Sequence, residues 1–381
     1  MNILFDLTGT QSSHDVKFHG GGYYGETVFF ALIKKTKNII GIYDSNLYIN
    51  PKIIECGIKI FDINKISPKE IIEKGNINTF YTPLFNNINS KMFKFNIDNY
   101  LITWHGAREL EMPYNSIEYY YASNLKERIK KIIKILIRKR LINIYKKKYS
   151  DKQAYINNSQ YITDSEHSKS NLISFYPHLA DKNIEVLYPP FMEEKESDIL
   201  PKGIKPKTYF LLTSSARWEK NNLRAVWAFD ELFSQNKSID YLVILTGVTK
   251  EKIFTKKIKN NNKFIFFNYI EKEELNTLHK NAYAFIYPSL NEGFGYPPVI
   301  SMKYGIPVAA SGISSIPEIC QNAAIYFDPY NVNEIKSRII QLLNKDIYNE
   351  YSKRSVIRYN EISEKQKLDL EKIINFILKE N

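Results

Sequence analysis

The chain has 381 residues, 44% hydrophobic, 14% aromatic and 25% charged, which suits two or three soluble domains of about 100–200 residues each and excludes a disordered chain. The net charge of +12 is local: Lys126 to Lys148 holds eleven basic residues and one acid, Glu127, and the remainder is nearly balanced, unlike the broad basic footprint of a nucleic-acid-coating protein. Cys56 and Cys320 stand far apart without a CxxC pattern, which argues against a disulfide framework and a zinc site and points to a reducing cytoplasm.

No apolar run approaches the roughly 18 residues of a membrane span. The opening MNILFDLTG reads as a first strand rather than a signal peptide. Further strands are expected at 39–43, 58–61, 79–82, 101–104, 161–163 and 184–188, with helices such as 24–35 and 165–175 between them. The second half repeats the rhythm: strands at 209–213, 241–245, 264–267, 284–287, 308–310 and 325–327, helices at 223–233, 273–281 and 332–344. Continuous apolar strands separated by helices mark a parallel sheet covered on both faces. The proline- and charge-rich stretch 189–207 reads as a linker. The expected fold is therefore α/β, with doubly wound domains at 1–188 and 208–363. Ligands of such sheets bind at the carboxyl ends of the strands, which directs attention to the cleft between two domains.

Several motifs fall at those ends. After the first strand comes HGGGYYGE from His19, with Gly20, Gly21 and Gly22 ahead of a helix near Tyr24. Such a loop cradles phosphate or simply reverses the chain. It is not a full GxGxxG fingerprint, although Asp44, 19 residues after Gly25, keeps a dinucleotide-dependent oxidoreductase as a rival. His105 follows the strand at 101–104 and either positions a ligand or is satisfied by a loop carbonyl. Ser165, with Ser168 and Lys169, either touches an acceptor or caps a helix, and capping is the favoured reading. No HExxH or other metal-ligand spacing is present, so neither a metal nor a cofactor is expected.

The segment 125–148 has helical period, with Leu125, Ile129, Ile132, Ile133, Leu136, Ile137, Leu141, Ile144 and Tyr145 on one stripe and Lys and Arg opposite. It reads as an amphipathic helix on the first domain. Lys130, Lys131, Lys134 and Arg138 are candidates for contact with an anionic membrane or acceptor. Nucleic acid is not an expected partner, because no aromatic interleaving accompanies the charge.

In SSARWEKNN, Arg217 and Lys220 follow a strand and precede a helix that Asn221 or Asn222 would cap. Two cations there can neutralise a diphosphate. In PSLNEGFGYPP, Glu292, Gly293, Phe294 and Gly295 form a glycine-bearing turn, and Tyr296, Pro297 and Pro298 open a helix. Proline is tolerated there, and amides at such a start attract anions. Glu292 cannot bind phosphate but can accept hydrogen bonds from sugar hydroxyls.

This turn, its helix and the small-residue strand leading to Pro317-Glu318 resemble the family 4 glycosyltransferases, including bacterial cell-surface polysaccharide mannosyl- and rhamnosyltransferases. The likeness covers 208–345 and several motifs of the first half. It implies the GT-B fold, retention of anomeric configuration, metal independence, and a C-terminal helix over 364–381 packing back on the first domain. It assigns the leaving diphosphate to Arg217 and Lys220, the sugar to Glu292 and His105, and the nucleotide-sugar to Gly21, Gly22, Gly293, Phe294, Gly295 and Tyr296. The expected reaction moves a hexose or deoxyhexose from a nucleoside-diphosphate sugar to a glycan or lipid-linked glycan at the inner face of the membrane. One departure stands out. The family places a second glutamate eight residues after the first, on the ribose, and here that position is Ile300. Either the donor lacks a ribose 2′-hydroxyl, as in dTDP-sugars, or a neighbour such as Ser301 replaces the contact, or the protein is a silent sugar-nucleotide binder or membrane scaffold. A dTDP- or GDP-sugar is the favoured donor.

Overall fold

The structure is a computed structural model and describes residues 2–12, 20–85, 95–106, 108–112, 114–153, 159–191 and 199–379, without the side chains of 148–153. The chain forms two compact units. One comprises Met1–Glu111, Ile142–Met192 and Lys365–Asn381, the other Met112–Leu141 and Glu193–Glu364.

The first unit is built on β1 (Ile3–Asp6), β2 (Ile39–Tyr43), β3 (Lys59–Asp62), β4 (Thr79–Thr82), β5 (Asn99–Trp104), β6 (Ser159–Thr163) and β7 (Ile184–Val186). All pair in parallel, in the order β3-β2-β1-β4-β5-β6-β7. Alternation along each strand fills two cores. Ile3 and Phe5 meet Val28, Phe29 and Leu32 of the helix Gly20–Lys35, while Leu4, Tyr100, Ile102 and Trp104 face the other side.

The second unit repeats the plan with β8 (Tyr209–Leu212), β9 (Leu242–Leu245), β10 (Phe264–Phe266), β11 (Ala284–Tyr287), β12 (Val308–Ser311) and β13 (Ala324–Phe327). The parallel order is β10-β9-β8-β11-β12-β13. Phe210, Leu212, Val243, Leu245 and Ile286 pack on Val226, Phe229 and Phe233 of the helix Asn222–Gln235, and Tyr209, Leu211, Ile244, Phe285 and Val308 form the opposite core. In each sheet the strand order reverses once, between β1 and β4 and between β8 and β11. The turns leaving those strands diverge and open a crevice at the carboxyl edge.

Three features differ from the sequence pattern. The first helix begins at Gly20 rather than near Tyr24, so Gly20, Gly21 and Gly22 form its first turn instead of a loop before it. None of the three has a positive φ, and a first turn makes few intrahelical bonds to weaken. His19 lies outside the described residues. Steric demand falls later in this helix, at Gly25, where a Cβ would sit 2.5 Å from Thr10 Cγ2 and 2.9 Å from Pro83 Cγ.

The basic segment is two helices, Leu125–Leu136 and Arg138–Gln153, interrupted at Ile137. Residues 112–141 belong to the second unit, not the first. The short 3-10 helix Ser116–Tyr121 decides this by laying Ile117, Tyr120 and Tyr121 on the core around Phe229 and Phe254, with Tyr120 edge-on to Trp227 at 5.4 Å. The third difference is the last helix, Lys345–Leu378, a continuous 34 residues. Its final turns join the first unit, where Ile373, Ile374 and Ile377 are buried.

Buried Asp369 holds that helix end: it accepts the Tyr188 amide at 2.8 Å and pairs with Lys365 at 2.8 Å. Gln366 donates to the Pro189 carbonyl at 2.7 Å. Asp369→Ala leaves a buried N–H without its acceptor and is expected to cost about 1–3 kcal/mol, measured as a lower urea midpoint at unchanged slope. An unchanged midpoint would show that the apolar contacts hold this end unaided.

Candidate active site

The crevice of the second unit lies between the turns leaving β8 and β11, and a buried ion pair spans it. Lys220 Nζ approaches Glu292 Oε1 at 2.5 Å and donates to the Tyr287 hydroxyl at 3.1 Å. The Ser289 hydroxyl donates to the same carboxylate. Burial alone would raise the Glu292 carboxyl, but the Lys220 charge and these hydrogen bonds hold it below its ordinary value, so the carboxylate is ionised. Burial pushes the Lys220 ammonium down, offset in part by Glu292. The Lys220 side chain is only 6% exposed, whereas that of Arg217 is 52% exposed while its Nε donates to Glu219 at 2.8 Å. Arg217 is thus the open cation of this turn.

The Glu-Gly-Phe-Gly turn is held from the turn after β12. Ser314 Oγ accepts the Glu292 amide at 2.8 Å and lies 2.6 Å from the Glu292 carbonyl. Ser315 Oγ reaches the Glu292 and Phe294 carbonyls at 3.0 Å each. Gly295, at φ 104°, then turns the chain into the helix Tyr296–Lys303, a conformation that favours glycine. Pro297 and Pro298 remove two N–H groups that the first turn leaves without intrahelical partners. Phe294 turns its ring into the core, so its part in the turn is made by its backbone.

Ile300 is half-buried one helical turn after Tyr296. The neighbouring Ser301 is not available to replace a ribose contact. It is fully buried and lies 2.7 Å from Nδ1 of His279, a ring that burial pushes down to about 3.

Asn221 and Asn222 do not cap their helix. Asn221 takes a left-handed conformation at φ 60° and donates to the Pro288 and Pro329 carbonyls at 3.0 and 2.8 Å, tying the turn after β8 to those after β11 and β13. Asn222 donates to the Thr213 carbonyl at 2.8 Å. Trp218 packs against the core of its own unit.

In the first unit His105 follows β5. Its Nε2 faces the Pro83 carbonyl at 2.9 Å and its Nδ1 faces Asp164 Oδ2 at 3.3 Å, with Tyr24 edge-on at 4.8 Å. Two acceptors around one ring call for two N–H groups. Burial opposes the charge, but Asp164 and the carbonyl raise the imidazole above its ordinary 6.5. Ser165 caps the helix Glu166–Phe175 by accepting the Ser168 amide at 3.1 Å. Among the described residues no group of three His, Cys, Asp or Glu is placed to hold a metal ion, and no helix is long and apolar enough to cross a membrane.

Of the basic candidates, Lys131 and Lys134 are drawn to buried Glu118, while Lys130 and Arg138 are exposed. Sequence reasoning did not foresee the parts played by Ser289, Ser314, Ser315, Asn221 and Asp164. Their one visible signal is position: Ser289, Ser314, Ser315 and Asp164 stand shortly after strands, and Asn221 directly precedes a helix.

Residues 194–362 match the family described as glycosyl transferases group 1. The chain is 25% identical over 205 residues to O-antigen chain mannosyltransferase B of Escherichia coli, covering 50% of this chain and 52% of that protein. It is 28% identical over 182 residues to the O-antigen chain mannosyltransferase RfbU of Salmonella typhimurium, covering 47% and 49%. The matches thus span about half the length of these curated relatives. Sucrose-phosphate synthase from Thermosynechococcus elongatus has the same fold, with a TM-score of 0.70, 13% identity and 100% of each chain covered. The fold is GT-B. The stretch that matches the glycosyl transferases group 1 family falls within the second unit.

Two outcomes follow from the geometry. Lys220→Met strands the Glu292 carboxylate and is expected to cost about 3–5 kcal/mol. Adding Glu292→Gln should return part of that loss, and strictly additive unfolding energies would show that the two groups are not coupled. For His105, a raised folded value means that the pair with Asp164 stabilises fully below about 6.5 and is lost as pH rises through the folded value. The melting-temperature gap between wild type and His105→Asn should therefore be wider at pH 5.5 than at pH 8.5. Equal gaps would contradict a charged ring.

Proposed function

We propose that this chain is a retaining hexosyltransferase acting in surface-polysaccharide synthesis at the inner face of the membrane. It would move a hexose, mannose in the first instance, from a nucleoside-diphosphate sugar to a hydroxyl of a glycan or lipid-linked glycan. The observation that carries this reading is the Lys220–Glu292 pair at the switch point of the unit that holds the glycosyl transferases group 1 match. Mannose is suggested by the names of the O-antigen relatives.

As the bond from the anomeric carbon to the diphosphate oxygen breaks, negative charge builds on the diphosphate. Arg217 and Lys220 oppose that charge, which lowers the barrier because it develops in the transition state. Lys220 also keeps Glu292 ionised, ready to accept hydrogen bonds from the sugar hydroxyls. The acceptor hydroxyl attacks the same face and passes its proton to the departing diphosphate oxygen. With cations and a helix start in this role, the scheme uses neither metal nor cofactor. The first unit serves the acceptor side through His105 and the helix start at Gly21 and Gly22. Ile300 offers the ribose no hydrogen-bond acceptor, and Ser301 is engaged with His279. A dTDP-sugar accommodates that loss, and a GDP-sugar is the second candidate.

Thermal unfolding with UDP, GDP, dTDP and ADP tests the donor. A nucleotide at about 100 times its dissociation constant stabilises by about 2.7 kcal/mol, so one of dTDP or GDP should raise the melting temperature above the others. Glu292→Ala should then lower kcat by about 100–1000-fold with a far smaller change in nucleotide affinity. A nucleotide shift without transfer by the wild type would leave the chain a silent binder, and neither shift nor transfer would overturn the transferase reading.

A further inference from the structure

The helix Leu125–Leu136 faces the opposite way from an ordinary surface helix. Leu125 is 72% exposed, Ile129 49%, Ile132 45%, Ile133 46% and Leu136 79%, and no residue of this helix is buried. Their spacing of i, i+4, i+7, i+8 and i+11 puts them on one face. The polar side is the anchored one. Lys131 and Lys134 both donate to Glu118, whose side chain is 3% exposed, and the Arg128 guanidinium lies 5.5 Å from the centre of the Tyr119 ring. Ile135, an apolar break in the basic side, lines a cavity of about 300 Å³ with Ile117, Tyr114 and Trp227. The helix start is fixed as well: Asn124 accepts the Glu127 amide at 2.9 Å, and Glu127 accepts the Ser123 amide at 2.6 Å. An ion pair beneath the helix therefore holds five large aliphatic side chains toward solvent, a patch of the kind that marks an interaction surface.

We propose that this stripe is a bilayer-inserting face. The helix lies in the headgroup plane of an anionic membrane, with Leu125, Ile129, Ile132, Ile133 and Leu136 entering the acyl boundary. The exposed Lys126, Lys130, Arg138, Lys139 and Arg140 meet headgroup phosphates. Lys131 and Lys134 are not lipid contacts. They orient the helix through Glu118. Charge favours a membrane over a second copy of the chain, because a symmetric pairing would bring two such basic segments together whereas anionic lipid neutralises them. This deepens the membrane-side placement proposed above but does not need the transferase reading, since it can be tested without sugar nucleotide.

The experiment is co-sedimentation of the full chain with phosphatidylcholine vesicles containing about 30% phosphatidylglycerol, alongside sedimentation velocity without lipid. Wild type should partition onto the anionic vesicles. Leu125→Ser with Leu136→Ser should weaken partitioning at least tenfold, and because both positions are exposed the melting temperature should hold. Should that pair lower the melting temperature, Leu136→Trp decides instead, its emission moving to shorter wavelength on vesicle addition. Wild type left in the supernatant, serine variants that bind as tightly as wild type, an unshifted tryptophan, or a dimer that the serines dissolve in the absence of vesicle binding would each overturn the proposal.

Discussion

The pair between Lys220 and Glu292 joins the turn after β8 to the turn after β11, at the one place in the second sheet where neighbouring turns diverge. Each partner would be costly to bury alone, so the position of one specifies the position of the other. The Ser289 and Tyr287 hydroxyls complete the pair. From the turn after β12, Ser314 and Ser315 hold the backbone of the Glu292 turn, and buried Asn221 reaches across to the turns after β11 and β13. The result is a pre-organised edge, in which a charged carboxylate and an open guanidinium are set before any ligand arrives.

The same economy recurs in the first unit with a different pair. Asp164, after β6, and the Pro83 carbonyl, after β4, enclose the ring of His105, after β5. Three adjacent strand ends thus meet on one imidazole. Asp6 at the end of β1 plays a related part, accepting the Thr8 amide and the Thr82 hydroxyl and so linking the strands on either side of the switch. Parallel strands present only carbonyls at their carboxyl ends. Side chains that accept or donate there decide how each connecting turn leaves the sheet.

The segment 112–141 shows how packing can invert an amphipathic pattern. A helix with one apolar stripe normally buries it, and the sequence of 125–136 predicts that outcome. Buried Glu118 changes it. A lone carboxylate at that depth needs cations, Lys131 and Lys134 supply them, and the stripe is carried to the outside. The aromatic residues Tyr120 and Tyr121, on Trp227 and Phe254, take the segment to the second unit although it lies in sequence between two strands of the first.

Runs such as Ile39–Tyr43 and Ala284–Tyr287 are apolar on both faces, which requires a covered parallel sheet, and this made the two-sheet α/β architecture legible from sequence. The Glu292 turn was equally legible, because Gly293 and Gly295 followed by Pro297 and Pro298 leave few alternatives to a strand–turn–helix, and Gly295 takes the φ of 104° that the turn needs. The cap at Ser165 could also be read locally, since its bond reaches only to the third residue on. What could not be read were links between residues far apart in the chain: Lys220 to Glu292, Asn221 to Pro329, His105 to Asp164, Glu118 to Lys131. Single-chain periodicity records which side of an element is apolar, but not which partner waits beside it. Sequence by itself determined the elements, their order and the residue types at the strand ends. Only the tertiary structure decided which of those residues face one another, because that depends on strand order across a sheet and on the need of each buried charge for an opposite one.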